Sequence, residues 1–171
     1  ANQTVSATTI DDDVAGFTVV ESGGSTSVAE TGTTDTFTVV LTAQPAEDVV
    51  LSISSEDVGE ASVAPSSLTF TPANWNSAQT VTVTGVDENV VDGDQNSNIT
   101  VAVLDVASDN SFDDLADQTV SATTTDNDVA GFTVAQTDGS TSVAETGTTD
   151  TFTIVLNAQP TSNVVLTITS S

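Results

Sequence analysis

The residues of this chain that can do chemistry are nearly all carboxylates. An acidic run stands at Asp11, Asp12 and Asp13, and a second, Asp126-Asn127-Asp128, recurs further on. A third acidic stretch, from Asp87 and Glu88 through Asp92 to Asp94, precedes the second run. Oxygen donors without imidazole or thiolate select a hard cation such as Ca2+ over Zn2+ or Cu2+. Two carboxylates about 5 Å apart repel by roughly 1 kcal/mol in water and roughly 3 kcal/mol near a protein surface. Three to five of them converging would cost a sizeable part of a fold stability of about 5–15 kcal/mol. A divalent cation is the obvious neutraliser. The competing reading makes these residues solvated turn formers and the charge an aid to solubility or an adaptation to high salt. Asp35, Asp48, Asp105, Asp109, Asp113 and Asp114 read as solvated loop residues, with Asp109 to Asp117 open as a second, weaker site.

Composition sharpens this. Among 171 residues there are 25 Asp and Glu and no Lys, Arg, His, Cys, Met or Tyr, so the formal charge is −25. Without Lys or Arg the chain has no means of gripping nucleic-acid phosphates, and an anionic membrane surface repels it. Catalysis by a His base, a Cys nucleophile, a Lys Schiff base or an Arg clamp is excluded, and so are disulfides. No apolar run is long enough to span a bilayer, and no charged-then-apolar leader is expected in this window. Paired carboxylates can in principle serve glycoside hydrolysis. The same acidic residues return in a sequence repeat, however, and no cleft-forming insertion interrupts the strands, so no enzyme activity is expected.

The repeat dominates the chain. The stretch from Gln3 to Glu56 returns from Gln118 to Ser171 at an offset of 115, with 40 of 54 pairs identical. We read 1–13 as the C-terminal strand of a preceding unit, 14–128 as one complete unit, and 129–171 as the N-terminal part of the next. No Pro- or Gly-rich linker separates them, which implies a stiff end-to-end chain.

Inside the unit the apolar period is two. Phe37, Val39 and Leu41 alternate with Thr36, Thr38 and Thr42; Val81 and Val83 alternate with Thr80, Thr82 and Thr84. Val, Thr and Ser fill 26, 32 and 20 positions, and the first two favour strands. Seven short strands with turns at Gly23-Gly24, Gln44-Pro45 and Asp92-Gly93 predict an all-β, antiparallel seven-stranded β-sandwich. Trp75 lies between two strands and is expected to plug one end of it.

Four segments, in order, resemble the Calx-beta family: SVAETG (27–32), TFTVVLTAQP (36–45), SLTFTPANWNSAQTVTVTGVDENVVDGD (67–94) and TTTDND (123–128). The resemblance spans the whole 14–128 unit and implies an Ig-like sandwich whose acidic loops hold Ca2+ at one end. Carried over residue by residue, it implies metal ligands at Glu30, Asp57, Asp87, Asp92, Asp126 and Asp128. Glu88 stands where the family has a second Asp, and the loop reading EDVGEA departs from the family pattern. The wording also resembles a subgroup repeated in very large bacterial surface and secreted proteins.

These readings converge on a structural tandem-repeat segment of an extracellular or cell-surface filament, stalk or adhesin, stiffened by Ca2+ at its junctions. Its expected partners are neighbouring repeats or identical subunits end to end, and glycans, since Asn2-Gln3-Thr4 and Asn98-Ile99-Thr100 match the N-glycosylation pattern. The alternative is a non-catalytic spacer or binding module of a large secreted enzyme.

Overall fold

The structure, a computed structural model, describes residues 2–170. Its strands are β1 (Phe17–Glu21), β2 (Thr26–Ala29), β3 (Thr34–Leu41), β4 (Val49–Ser55), β5 (Ala61–Ala64), β6 (Ser67–Phe70), β7 (Gln79–Gly85), β8 (Gln95–Val103), β9 (Gln118–Thr125), β10 (Phe132–Gln136) and β11 (Phe152–Leu156). The first nine form two sheets, ordered β1-β3-β7-β5 and β2-β9-β8-β4-β6. Period two decides which faces meet. Phe37, Val39, Val81 and Val83 from one sheet and Leu51, Ile53, Ile99 and Val101 from the other are all buried in one core with Phe70. The intervening Thr36 and Thr38 lie opposite Thr82 and Thr80 on the outer face.

The expected seven antiparallel strands are corrected on two counts. The two sheets hold nine strands, and β2 pairs with β9 in parallel, Thr26 beside Ala122 through Ala29 beside Thr125. The two additional strands, β2 and β5, have four residues each and are built of Ala, Ser, Thr and Val. So short a run shows no readable alternation. β1 lies in one sheet and β2 in the other, so the chain changes sheet at the Ser22–Gly24 turn.

Among the described residues from 129 onward, the strands are β10 and β11 alone. They pair Phe132 with Leu156, repeating the pairing of Phe17 with Leu41 at the sequence offset of 115. Phe17 and Leu41 are buried, whereas Phe132 is 53% exposed.

The sandwich has two distinct poles. β3 and β7 run antiparallel, so Thr34, Thr84 and Gly85 mark one pole, and Leu41, beside the start of β1, marks the other. β9 ends at Thr125 level with Ala29 and Gln95, on the Gly85 side. The chain therefore enters the sandwich at one pole and leaves from the opposite one.

The entry pole is closed by Trp75 and Phe112. Trp75 is half-buried against the core, and its carbonyl accepts the Leu41 N–H at 3.2 Å, in keeping with the plug expected of it. Asp109 corrects the reading of a solvated loop residue: it is only 6% exposed. Its carboxylate accepts N–H groups from Ala46 (2.7 Å), Glu47 (3.0 Å) and Ser111 (2.9 Å). Those donors, Ser111 foremost, hold its pKa down to about 2. A carboxylate depressed on folding adds stability that is complete above the unfolded-state value near 4 and fades as the pH falls towards 2. Asp109→Ala is expected to destabilise the sandwich by about 3 kcal/mol, since it strands buried donors. Urea unfolding at pH 7 and pH 2.5 checks this: the difference between variant and parent should shrink at the lower pH.

Candidate metal centre

The exit pole gathers carboxylates from four separate segments. Glu30 follows β2 directly, and its N–H donates to the Thr125 carbonyl at 3.2 Å. Glu60 directly precedes β5, and its carbonyl accepts the Val86 N–H at 2.9 Å and the Thr124 hydroxyl at 3.2 Å. Glu88 and Asp92 come from the loop joining β7 to β8, and Asp126 and Asp128 follow β9. One carboxylate oxygen each from Glu30, Glu60, Glu88 and Asp92 lies within 4.8 Å of the others, and the same holds for Glu30, Asp126 and Asp128. Glu30 belongs to both groups and is 1% exposed.

Hydrogen bonds fix the frame. The Glu30 carboxylate accepts the Asn127 N–H at 3.0 Å. The Asp126 carboxylate accepts N–H groups from Asp128 (2.6 Å) and then Gly93 (2.8 Å), which hold its pKa below the ordinary range. Asp94 accepts the Asp126 N–H at 3.2 Å, and Asp87 accepts the Asn127 side-chain amide at 3.1 Å.

Of the residues expected to ligate, five fall in one or other group: Glu30, Glu88 and Asp92 in the first, Glu30, Asp126 and Asp128 in the second. Asp57 and Asp87 stand outside both groups. Asp57 instead caps its own turn by accepting the Gly59 N–H at 2.9 Å, and Asp87 orients Asn127. Glu60 was not among the expected ligands. Its signal was present in the EDVGEA loop, as a glutamate directly before an apolar strand too short to recognise.

The electrostatics are unfavourable without a cation. Ionised pairs at such separations cost about 3 kcal/mol each at an effective dielectric near 20. Burial and then Asp92, Glu88 and Glu30 push the Glu60 pKa up. Burial and then Asp92 and Glu30 do the same to Glu88. Two buried oxygens, Glu60 Oε2 and Asp128 Oδ2, have no hydrogen-bond partner among the described residues. Orphaned anionic oxygens in an all-oxygen cluster fit a hard divalent cation. Glu30, Glu60, Glu88 and Asp92 would hold one such ion and Glu30, Asp126 and Asp128 another, and the added charge would offset the repulsion within each group.

A carboxyl whose pKa rises on folding costs stability as the pH climbs through the window between its unfolded and folded values. In Ca2+-depleted protein, the contribution of Glu60 and Glu88 therefore makes the fold more stable as the pH falls towards the unfolded-state value of 4.5. Ca2+ should flatten that trend, and melting curves across this range with and without Ca2+ check it.

No protein-family model matches the chain, and no curated protein matches it in sequence. Similar solved structures exist at low identity. The E. coli chaperone DraB aligns at 11% identity and TM-score 0.45, over 72% of this chain and 64% of its own. The apo-form Calx CBD1 domain aligns at 12% identity and TM-score 0.41, over 66% and 98%. Domains 1–6 of the surface layer protein SbsC align at 17% identity and TM-score 0.42, over 85% and 22%.

Proposed function

We propose that this chain is a structural segment of an extracellular filament, stalk or adhesin, stiffened by Ca2+ where successive 115-residue units meet. It carries no catalysis of its own. The observation that supports this best is the position of the acidic cluster. Its members Asp126 and Asp128 follow the last strand of the sandwich and stand just before β10, so an ion held there ties the joining segment to Glu30 in the body of the unit. Opposite-pole entry and exit suit an end-to-end array of the repeat seen in the sequence. Millimolar Ca2+ outside cells suits oxygen-only sites of modest affinity.

Small-angle scattering on a chain of several units tests the reading. Ca2+ should lengthen the particle and narrow its distribution of dimensions relative to EGTA, with Mg2+ held constant. Identical profiles in the two conditions would refute stiffening by the ion.

A further inference from the structure

We propose that Asp138-Gly139 is a self-modification site, at which the chain converts L-aspartate through a cyclic succinimide into D-aspartate and isoaspartate. Two Asp-Gly pairs occur in the sequence, Asp92-Gly93 and Asp138-Gly139. A glycine without a side chain leaves its amide nitrogen open to the neighbouring carboxyl, so both pairs have the composition the reaction needs. Backbone conformation separates them. Asp138 sits at φ +52° and ψ +19°, and it is the one non-glycine residue with positive φ among the described residues.

The repeat shows which residue suits that position. The offset of 115 maps Asp138 onto Gly23, at φ +67° and ψ 0°, and Gly139 onto Gly24. An L-residue there crowds its Cβ against the following carbonyl, a cost that glycine escapes. The surrounding hairpin holds Asp138 in place nevertheless. Gln136 pairs with Phe152, the Thr137 N–H and hydroxyl both donate to the Thr151 carbonyl at 3.1 and 2.8 Å, and the Ser140 N–H donates to the Thr137 carbonyl at 3.3 Å. Asp138 and Gly139 are exposed, and so are Gly23 and Gly24 in the complete unit, so water reaches this turn in either copy. A Cβ built at Gly139 meets nothing within 4 Å, which leaves room for a ring.

The Gly139 nitrogen bonds to Asp138 Cγ, and one carboxyl oxygen leaves as water with the carboxyl proton and the amide proton. The Cα–H of residue 138, now beside an imide carbonyl, exchanges with solvent from either face and gives both hands of the ring. Water then opens the ring at one carbonyl or the other, returning aspartate or the isoaspartate linkage, so no oxidant or reductant takes part. The fold selects among the products. At these angles a D-residue occupies the mirror image of the right-handed helical basin, its own favoured region, so D-Asp138 should outnumber L-Asp138 about fivefold once the reaction has run. Asp92 lacks that bias because its φ is not positive, and the Gly93 N–H is already donated to the Asp126 carboxylate at 2.8 Å.

The test ages the 171-residue chain for weeks at neutral pH, once folded and once in urea. Thermolysin, which cuts before apolar residues, then releases the peptides 135–142 and 91–98. Each is separated by chromatography against four synthetic standards carrying L-Asp, D-Asp, L-isoAsp and D-isoAsp. The folded chain should show the D excess at residue 138, the urea-held chain should show none because no turn imposes φ there, and Asp92 should stay L. Asp138→Asn supplies a second readout. Its side-chain amide is the better leaving group, ammonia departs in place of water, and the same D-rich residue 138 should form sooner, with the mass gain of deamidation. An L-Asp138 that survives unchanged in the folded chain, a D-to-L ratio equal in folded and urea-held chains, or ageing at Asp92 as fast as at Asp138 overturns the proposal.

Discussion

Saturating Ca2+ is expected to raise the melting temperature of the EGTA-treated protein by about 10 °C, with Mg2+ held constant. A ligand at about a hundred times its dissociation constant adds about 2.7 kcal/mol, and each kcal/mol is worth about 4 °C for a domain of this size. Replacing Asp126 and Asp128 by Asn should remove most of the rise. Glu60→Gln separates ion binding from simple structural damage, because its two effects have opposite signs. Glu60 is 7% exposed, carries an unpartnered oxygen and is crowded by Asp92, Glu88 and Glu30. Removing its charge should therefore stabilise the metal-free protein while abolishing much of the response to Ca2+. A melting temperature identical in Ca2+ and EGTA would eliminate the metal centre, and a Glu60→Gln variant destabilised in both conditions would make Glu60 a plain core residue.

Gly85→Ala is expected to destabilise the sandwich by about 3 kcal/mol, roughly 12 °C, and to weaken Ca2+ binding at the same time. A Cβ at Gly85 would stand 2.1 Å from the carbonyl oxygen of Ala29 and 2.6 Å from its carbonyl carbon. Both are backbone atoms, so no side-chain rotation relieves the clash. Gly85 ends β7 in one sheet and Ala29 ends β2 in the other, and Glu30 is the next residue. Forcing the sheets apart there displaces Glu30, which belongs to both carboxylate groups. Gly93→Ala is the control. Gly93 has open space around its Cβ position and a φ of +78°, so only backbone strain of about 1 kcal/mol is expected. Equal losses at the two positions would show that close approach of the sheets is not what Gly85 provides.

The long strands were legible because Phe37, Val39 and Leu41, or Val81 and Val83, repeat their alternation often enough to be seen. β2 and β5 were not, and the parallel pairing of β2 with β9 leaves no mark on either segment, since register depends on residues about 100 apart. At the acidic pole, Asp126 and Asp128 stood out as a run. Glu30 was legible through a resemblance and not through any pattern of its own. Glu60 was hidden because the strand it precedes was hidden. Asp57 and Asp87 lie outside the two carboxylate groups, Asp57 accepting the N–H of its own turn and Asp87 the Asn127 amide, and only the fold distinguishes such a carboxylate from its neighbours in the groups. Asp109 makes the same point at the other pole, where three backbone donors converge on a residue that composition alone assigns to solvent.

The parallel pairing of β2 with β9 has a mechanical consequence. Chain enters at one pole and leaves at the other, so pulling on the two ends drags β9 towards the exit and β2 towards the entrance. The bonds from Thr26 beside Ala122 to Ala29 beside Thr125 then take the load together, in shear, and do not open one after another like a zipper. β1 against β3 is loaded the same way, because its leading residue Phe17 is drawn along the strand axis past Leu41. A fold with these terminal strands resists extension far better than its modest core suggests, and a string of such units would transmit force along its length before any one of them gave way.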